Sequence, residues 1–156
     1  MFVLLTSMAL AAMAETSCPV TRPDDWPLRS HQEMLGSDSD THAWYGSQKL
    51  AAYIPVNGLW YGTGPANGYA DKFWWYREGF DAREEWKPDL IIVGTRLDDV
   101  AEPIVFDNAT SGYGKGWDAM LIGVGFPSAG CWELRGSYQG AEELIVVVAV
   151  GQRNDQ

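Results

Sequence analysis

Basic side chains are scarce in this chain. Eleven Lys and Arg stand against 21 Asp and Glu, a formal net charge of −10 over 156 residues. Phosphate-rich partners need a basic face, so nucleic acid and anionic membrane surfaces are disfavoured. Histidine is scarcer still, with His31 and His42 alone. Asp38 and Asp40 lie between them, but without the helical i, i+4 pairing or strand-borne spacing of a metal centre. The Asp38-Ser39-Asp40 start of a calcium loop lacks the glycine and the distal glutamate that would complete it. No metal and no cofactor is expected. Ser128 sits in Pro127-Ser128-Ala129-Gly130, a turn and not a G-x-S-x-G nucleophile elbow. No run of about 18 apolar residues occurs, so nothing reads as a membrane span. Helical periodicity over ten residues, internal repeats and low-complexity tracts are also missing, apart from one weak helical turn at 28–35.

Two cysteines, Cys18 and Cys131, are present. Their meaning depends on compartment. Residues 1–14 read as a signal peptide. Residues 2–13 are a short uncharged apolar run, and Ala12-Met13-Ala14 is a small-x-small cleavage pattern that starts the mature chain at Glu15. Export to a periplasm or the extracellular space favours a Cys18–Cys131 disulfide over two separate thiols. An alternative is a lipoprotein acylated at Cys18, although Glu15-Thr16-Ser17 is a poor lipobox.

What the chain has in plenty is hydrophobic and aromatic surface, 46% and 13% of residues, with eight Trp. That suffices for the core of one domain. After an irregular N-terminal arm at 15–47, strand signals recur over 48–151, and 152–156 is a tail. Residues 18–21 read as a short strand or arm. In 49–55, Leu50, Ala52 and Ile54 share one face. Asn57-Gly58 then reads as a type I′ turn into a return strand at 59–61. In 72–77, Phe73 and Trp75 face one way and Trp74 and Tyr76 the other. Further strands are expected at 90–97, 103–106 and 118–125, with a charged connection at 78–87 and a Gly-rich loop at 108–116. The last hairpin joins 130–136 to 143–150. Trp132 and Leu134 face inward there, and Cys131, Glu133 and Arg135 outward. Residues 143–150 are apolar on both faces, so that strand is expected to be central or doubly covered. About 7–9 short strands make an all-β antiparallel sandwich or barrel.

Four segments carry a resemblance: CPVTRP from Cys18, KFWWYREG from Lys72, LIIVGTRLD from Leu90 and GVGFPSAGCWELRGSYQG from Gly123. The chain resembles a family of uncharacterised small secreted bacterial proteins. That family has a CPVTxP start, a KFxWWR-type strand, a GRRLD-type strand end and a PTxGCWEVTG-type hairpin. The resemblance covers most of the mature chain. It implies export and an immunoglobulin-like β-sandwich, and it brings no catalytic residues.

Function is expected on the aromatic strands. Large rings mostly fill cores, but rings left on a solvent face mark binding sites. Candidate ligand-binding residues are Trp60, Trp74, Tyr76, Arg77 and Trp117, the first four as a cross-strand aromatic platform. The resulting reading is an exported, non-catalytic sandwich with a binding or accessory role at the cell envelope. Its partner would be a polysaccharide or another envelope protein. The alternative is a small secreted hydrolase using loop carboxylates, which needs a concave pocket with two carboxylates about 5–10 Å apart. Adjacent pairs such as Glu84/Glu85, Asp98/Asp99 and Glu142/Glu143 point apart when extended. Arg96 and Asp98 are expected to pin a strand end or anchor a ligand.

Overall fold

Alternation along the chain resolves into ten strands among the described residues. The computed structural model describes residues 17–22, 41–62, 69–114 and 117–151. The signal segment at 1–14, the turn at 28–35, His31, Asp38 and Asp40, and the 152–156 tail lie outside the described residues. One five-stranded sheet contains β1 (His42–Gly46), β2 (Ala51–Pro55), β4 (Ala70–Tyr76), β8 (Trp117–Gly125) and β7 (Thr110–Gly114), in that spatial order. The second contains β3 (Leu59–Trp60), β10 (Glu142–Val150), β9 (Gly130–Tyr138), β5 (Leu90–Arg96) and β6 (Ile104–Phe106). All pairings are antiparallel except β3 with β10. The two sheets pack face to face as an all-β sandwich.

Period-two alternation fills the space between the sheets. From the first sheet come Ala52 and Ile54, Phe73 and Trp75, and Met120, Ile122 and Val124. From the second come Leu90 and Ile92, Trp132 and Leu134, and Val146, Val148 and Val150. Each fully buried Val, Leu, Ile or Phe contributes roughly 1.5–3 kcal/mol. Trp75 and Trp132 are wholly buried. Trp75 fits because the facing strand β9 has glycine at 136, where a Cβ would fall into its ring.

The terminal hairpin forms as expected, with β10 between β3 and β9. Cys131 faces away from the core and is covered by the N-terminal segment, to which it is joined by the Cys18–Cys131 disulfide with Cα atoms 5.4 Å apart. A sulfur bonded to Cys131 cannot carry a lipid, so the acylated alternative at Cys18 falls away. Beside the bridge, Thr21 donates its N–H to Val147 O and accepts the Val147 N–H at Oγ1, both at 2.8 Å. The arm thus occupies the edge of β10 ahead of β3. At the start of β9, Arg96 Nε donates to Asp98 Oδ1 and Arg96 Nη1 to Ser128 Oγ, each at 2.8 Å. The bond from Arg96 holds the Asp98 carboxyl below the usual carboxylate range. The pair pins the end of β5 to the turn that enters β9.

Three expectations are corrected. Asn57-Gly58 does not make a hairpin. β1 takes one edge of β2 along its whole length and β4 takes the other only at Ala51 and Ala52, and no strand returns along the edge left open beyond them. Gly58 (φ 70°) instead lies against Val20 and sends the chain across to the second sheet, where Leu59 and Trp60 pair with Ala149 and Val150. Within the arm read as irregular, His42–Gly46 forms β1. Within the Gly-rich loop, Thr110–Gly114 forms β7, and Gly112 lies under the Trp74 ring, where a Cβ would clash at 2.8 Å.

Among the described residues, no helix is long and apolar enough to cross a membrane.

Candidate functional site

The first sheet is split. β2 pairs fully with β1, and β4 pairs with β8 from Ala70 to Trp75. Between β2 and β4, however, only Ala51–Tyr76 and Ala52–Trp75 are in register. Beyond them the strands part, because Pro55 lacks an N–H to donate and the chain is leaving for the other sheet. A cleft of about 530 Å³ opens in the gap, within the 300–1,000 Å³ typical of small-molecule sites. Tyr53 and Pro55 wall one side, and Asp71, Lys72 and Trp74 the other. His42 stands at its mouth on β1, and the crossover brings Asn57, Leu59, Trp60 and Tyr61 against its end.

The rings here belong to a second aromatic layer on the outer face of the sheet. Trp44, Tyr53, Trp74 and Tyr76 pack together over Ala51, apart from the main core. His42 stacks on Tyr53 with ring centres 5.4 Å apart and planes 23° apart, and the Trp44 ring lies tilted against Tyr53 with centres 5.3 Å apart. Tyr76 meets Trp44 edge-on at 6.0 Å. Such contacts hold Tyr53 in place, so its orientation is preorganised for a ligand.

Polar groups are set between the rings. Asp71 Oδ1 accepts the N–H of Lys72 at 2.7 Å, and Asn57 Oδ1 accepts the N–H of Leu59 at 2.9 Å. Half-burial pushes the His42 pKa down, and the nearby Asp71 carboxylate opposes the shift. His42 Nδ1 is 3.2 Å from Thr41 Oγ1. Among the described residues that line the cleft, Asp71 is the one carboxylate. Paired-carboxylate hydrolysis therefore finds no support in it. Among the described residues, no three His, Cys, Asp or Glu side chains stand together as metal ligands. The arrangement suits holding a ligand between flat rings and hydrogen-bonding groups.

Of the residues singled out from sequence, Trp74 is in the cleft. Tyr76 belongs to the same aromatic layer, one turn of the pleat farther on. Trp60 reaches the cleft from the core. It is 4% exposed and packs edge-on against Phe73 and Phe126, so it makes no solvent-facing platform. Arg77 follows the opposite end of β4, about 20 Å from Asp71 along the chain direction, with its guanidinium 4.8 Å above the Tyr138 ring. Trp117 begins β8 at that same far end, paired with Gly114, and its side chain lies outside the described residues. The structure therefore does not bring Arg77 and Trp117 to the cleft.

Tyr53, Asp71 and Lys72 carry no functional expectation from the sequence, and His42 only that of a metal ligand, which its spacing does not support. Tyr53 was within reach, because alternation in β2 turns it away from Ala52 and Ile54. For the other three no local signal exists, since the cleft depends on two distant strands parting.

No protein-family model, no curated protein and no solved structure matches this chain.

Proposed function

We propose that this protein is an exported, non-catalytic β-sandwich that binds carbohydrate in the cleft between β2 and β4. One observation carries the reading: the Tyr53 and Trp74 rings wall a cleft that also holds His42, Asp71, Lys72 and Asn57. Ring faces suit the apolar faces of sugars, and the polar groups suit their hydroxyls. Export is supported by the signal-like 1–14 segment and by a disulfide, which persists in oxidising compartments. The resemblance to small secreted bacterial proteins supports the same compartment, a role at the cell envelope and an immunoglobulin-like strand arrangement.

The test is a fluorescence titration against a panel of soluble oligosaccharides, with Trp74→Ala and Tyr53→Ala beside the wild type. A saturable change is expected for at least one sugar, weakened about tenfold in either variant, as expected for the loss of one ring contact. If no sugar in a broad panel binds, the reading fails. Binding that both variants leave untouched moves the site elsewhere.

A further inference from the structure

The end wall of the cleft also has a back. Asn57 and Leu59 line the cleft, and Gly58 stands between them in the chain with a φ of 70°. Where another residue would carry its Cβ, Gly58 meets the isopropyl group of Val20. Val20 belongs to the arm that the Cys18–Cys131 bridge ties to β9. Arm and crossover share one edge of β10. Thr21 exchanges two hydrogen bonds with Val147, and Ala149 donates its N–H to Gly58 O at 2.8 Å. The crossover pairs with β10 at two positions, Leu59 and Trp60, so backbone pairing alone holds it weakly. Trp60 anchors one end of it in the core, and Val20 backs it at Gly58.

What keeps Val20 there is covalent. Ordering the backbone of one residue costs about as much as one hydrogen bond returns, or more. The two bonds at Thr21 therefore do not offset the ordering of the six arm residues 17–22, and the bridge holds the arm down. We infer that the Cys18–Cys131 bridge controls the cleft. Closed, it keeps Val20 on Gly58 and the end wall in place for a ligand. Reduced, it lets the arm lift and the wall loosen, and the ligand is released. A dithiol supplies the reduction. One of its thiolates attacks the sulfur of Cys18, which is half-buried where Cys131 is buried. A mixed disulfide forms and Cys131 leaves as a thiolate. The second thiolate then attacks the dithiol's own sulfur in that mixed disulfide and releases Cys18. Two electrons pass to the bridge, each cysteine sulfur takes up a proton, and the dithiol leaves as a disulfide. An oxidising compartment keeps the bridge closed and the cleft formed.

The inference rests on the carbohydrate reading, and the experiment separates the two. Amide shifts of Asn57, Gly58 and Leu59 in ¹⁵N-labelled full-length protein read the wall without a ligand. Titration with trimers of glucose, galactose, mannose and N-acetylglucosamine reads the cleft. Both are measured on the oxidised protein and after dithiothreitol, with the amide shifts of β4 and β8 as the check that the sandwich stays folded. Reduction should move or broaden the three wall amides, leave β4 and β8 in place, and weaken the bound trimer about tenfold or more. Val20→Ala, which keeps the bridge, should move both readouts in the same direction, and it decides the matter if the reduced protein unfolds. Wall amides and affinity that neither reduction nor Val20→Ala changes overturn the inference and leave the carbohydrate site standing. Moved wall amides with unchanged affinity also overturn it, because the wall then has no hold on the ligand. If no trimer binds the oxidised protein, the carbohydrate reading falls and takes the control of its ligand with it.

Discussion

Gly136→Ala probes the packing between the two sheets. The added methyl would fall among three atoms of the Trp75 benzo ring, Cζ2 at 2.9 Å and Cζ3 and Cη2 closer still. Trp75 has nowhere to retreat. It is fully buried, and Phe73 meets it edge-on at 5.2 Å. Forcing a methyl into a close-packed interior costs about 1–3 kcal/mol, and the upper half applies where the obstacle is a ring. Alanine returns roughly 0.4–1 kcal/mol by restricting the unfolded chain. The net loss should be about 2 kcal/mol, a large part of the roughly 5–15 kcal/mol that holds such a domain together. Trp75→Phe deletes the part of the ring into which the methyl falls. Alone it leaves a cavity and costs about 1–3 kcal/mol. The double variant should be more stable than the sum of the two single losses by about 1–2 kcal/mol, since the two changes fit each other. Urea unfolding followed by far-ultraviolet circular dichroism measures all four proteins without depending on tryptophan emission. A Gly136→Ala variant within about 0.5 kcal/mol of wild type, or strict additivity in the double variant, would refute this packing.

Three further outcomes follow from other parts of the fold. The Cys18–Cys131 bridge spans 113 residues, so reducing it should lower stability by about 5 kcal/mol on the chain-entropy scale; alkylation of the unreduced protein should label no thiol, and two labelled cysteines would contradict the bridge. His42 has its pKa pushed below 6.5 by burial, so the folded state binds fewer protons than the unfolded. Stability should therefore fall as pH drops below about 6.5, and melting curves between pH 5 and pH 8 should lose this slope in His42→Gln. Tyr138 donates to the Glu85 carboxylate, and burial with that neighbour raises its pKa to about 12. Its contribution should be complete below pH 10 and fade toward pH 12; Tyr138→Phe should abolish that alkaline loss and cost roughly 1.5–3 kcal/mol at neutral pH.

Local alternation carried most of the fold. KFWWYR, GCWELRG and the apolar final strand each have a period of two and a buried face, and β4, β9 and β10 place their residues accordingly. The disulfide was legible because a chain with a signal-like start and two cysteines leaves one pairing. β1 was not legible because it is apolar on both faces: Ala43 and Tyr45 turn to the core, while Trp44 is buried on the other side. In β7 the glycines looked like loop punctuation, yet Gly112 is there to let Trp74 lie close. Asn57-Gly58 has the composition of a hairpin turn, but the residues after it pair with Ala149 and Val150 of the other sheet, a partner that no local window reveals. The cleft is harder again. It exists because β2 and β4 keep two paired positions and then part, and no window of either strand encodes the distance to the other. Of the candidate residues, Trp74 was found by its face, whereas Arg77 lies just past the far end of the same strand.

A saccharide held in the gap between β2 and β4 should leave its mark on the residues that line it. Amide and indole chemical shifts of ¹⁵N-labelled protein, followed as a bound sugar is added, test it most directly. Saturable shifts are expected at Tyr53, Asp71, Lys72 and Trp74 and at the Trp60 indole, with the far end of β4 unmoved. Shifts gathered instead around Arg77 and the start of β8, with the cleft residues silent, would contradict it.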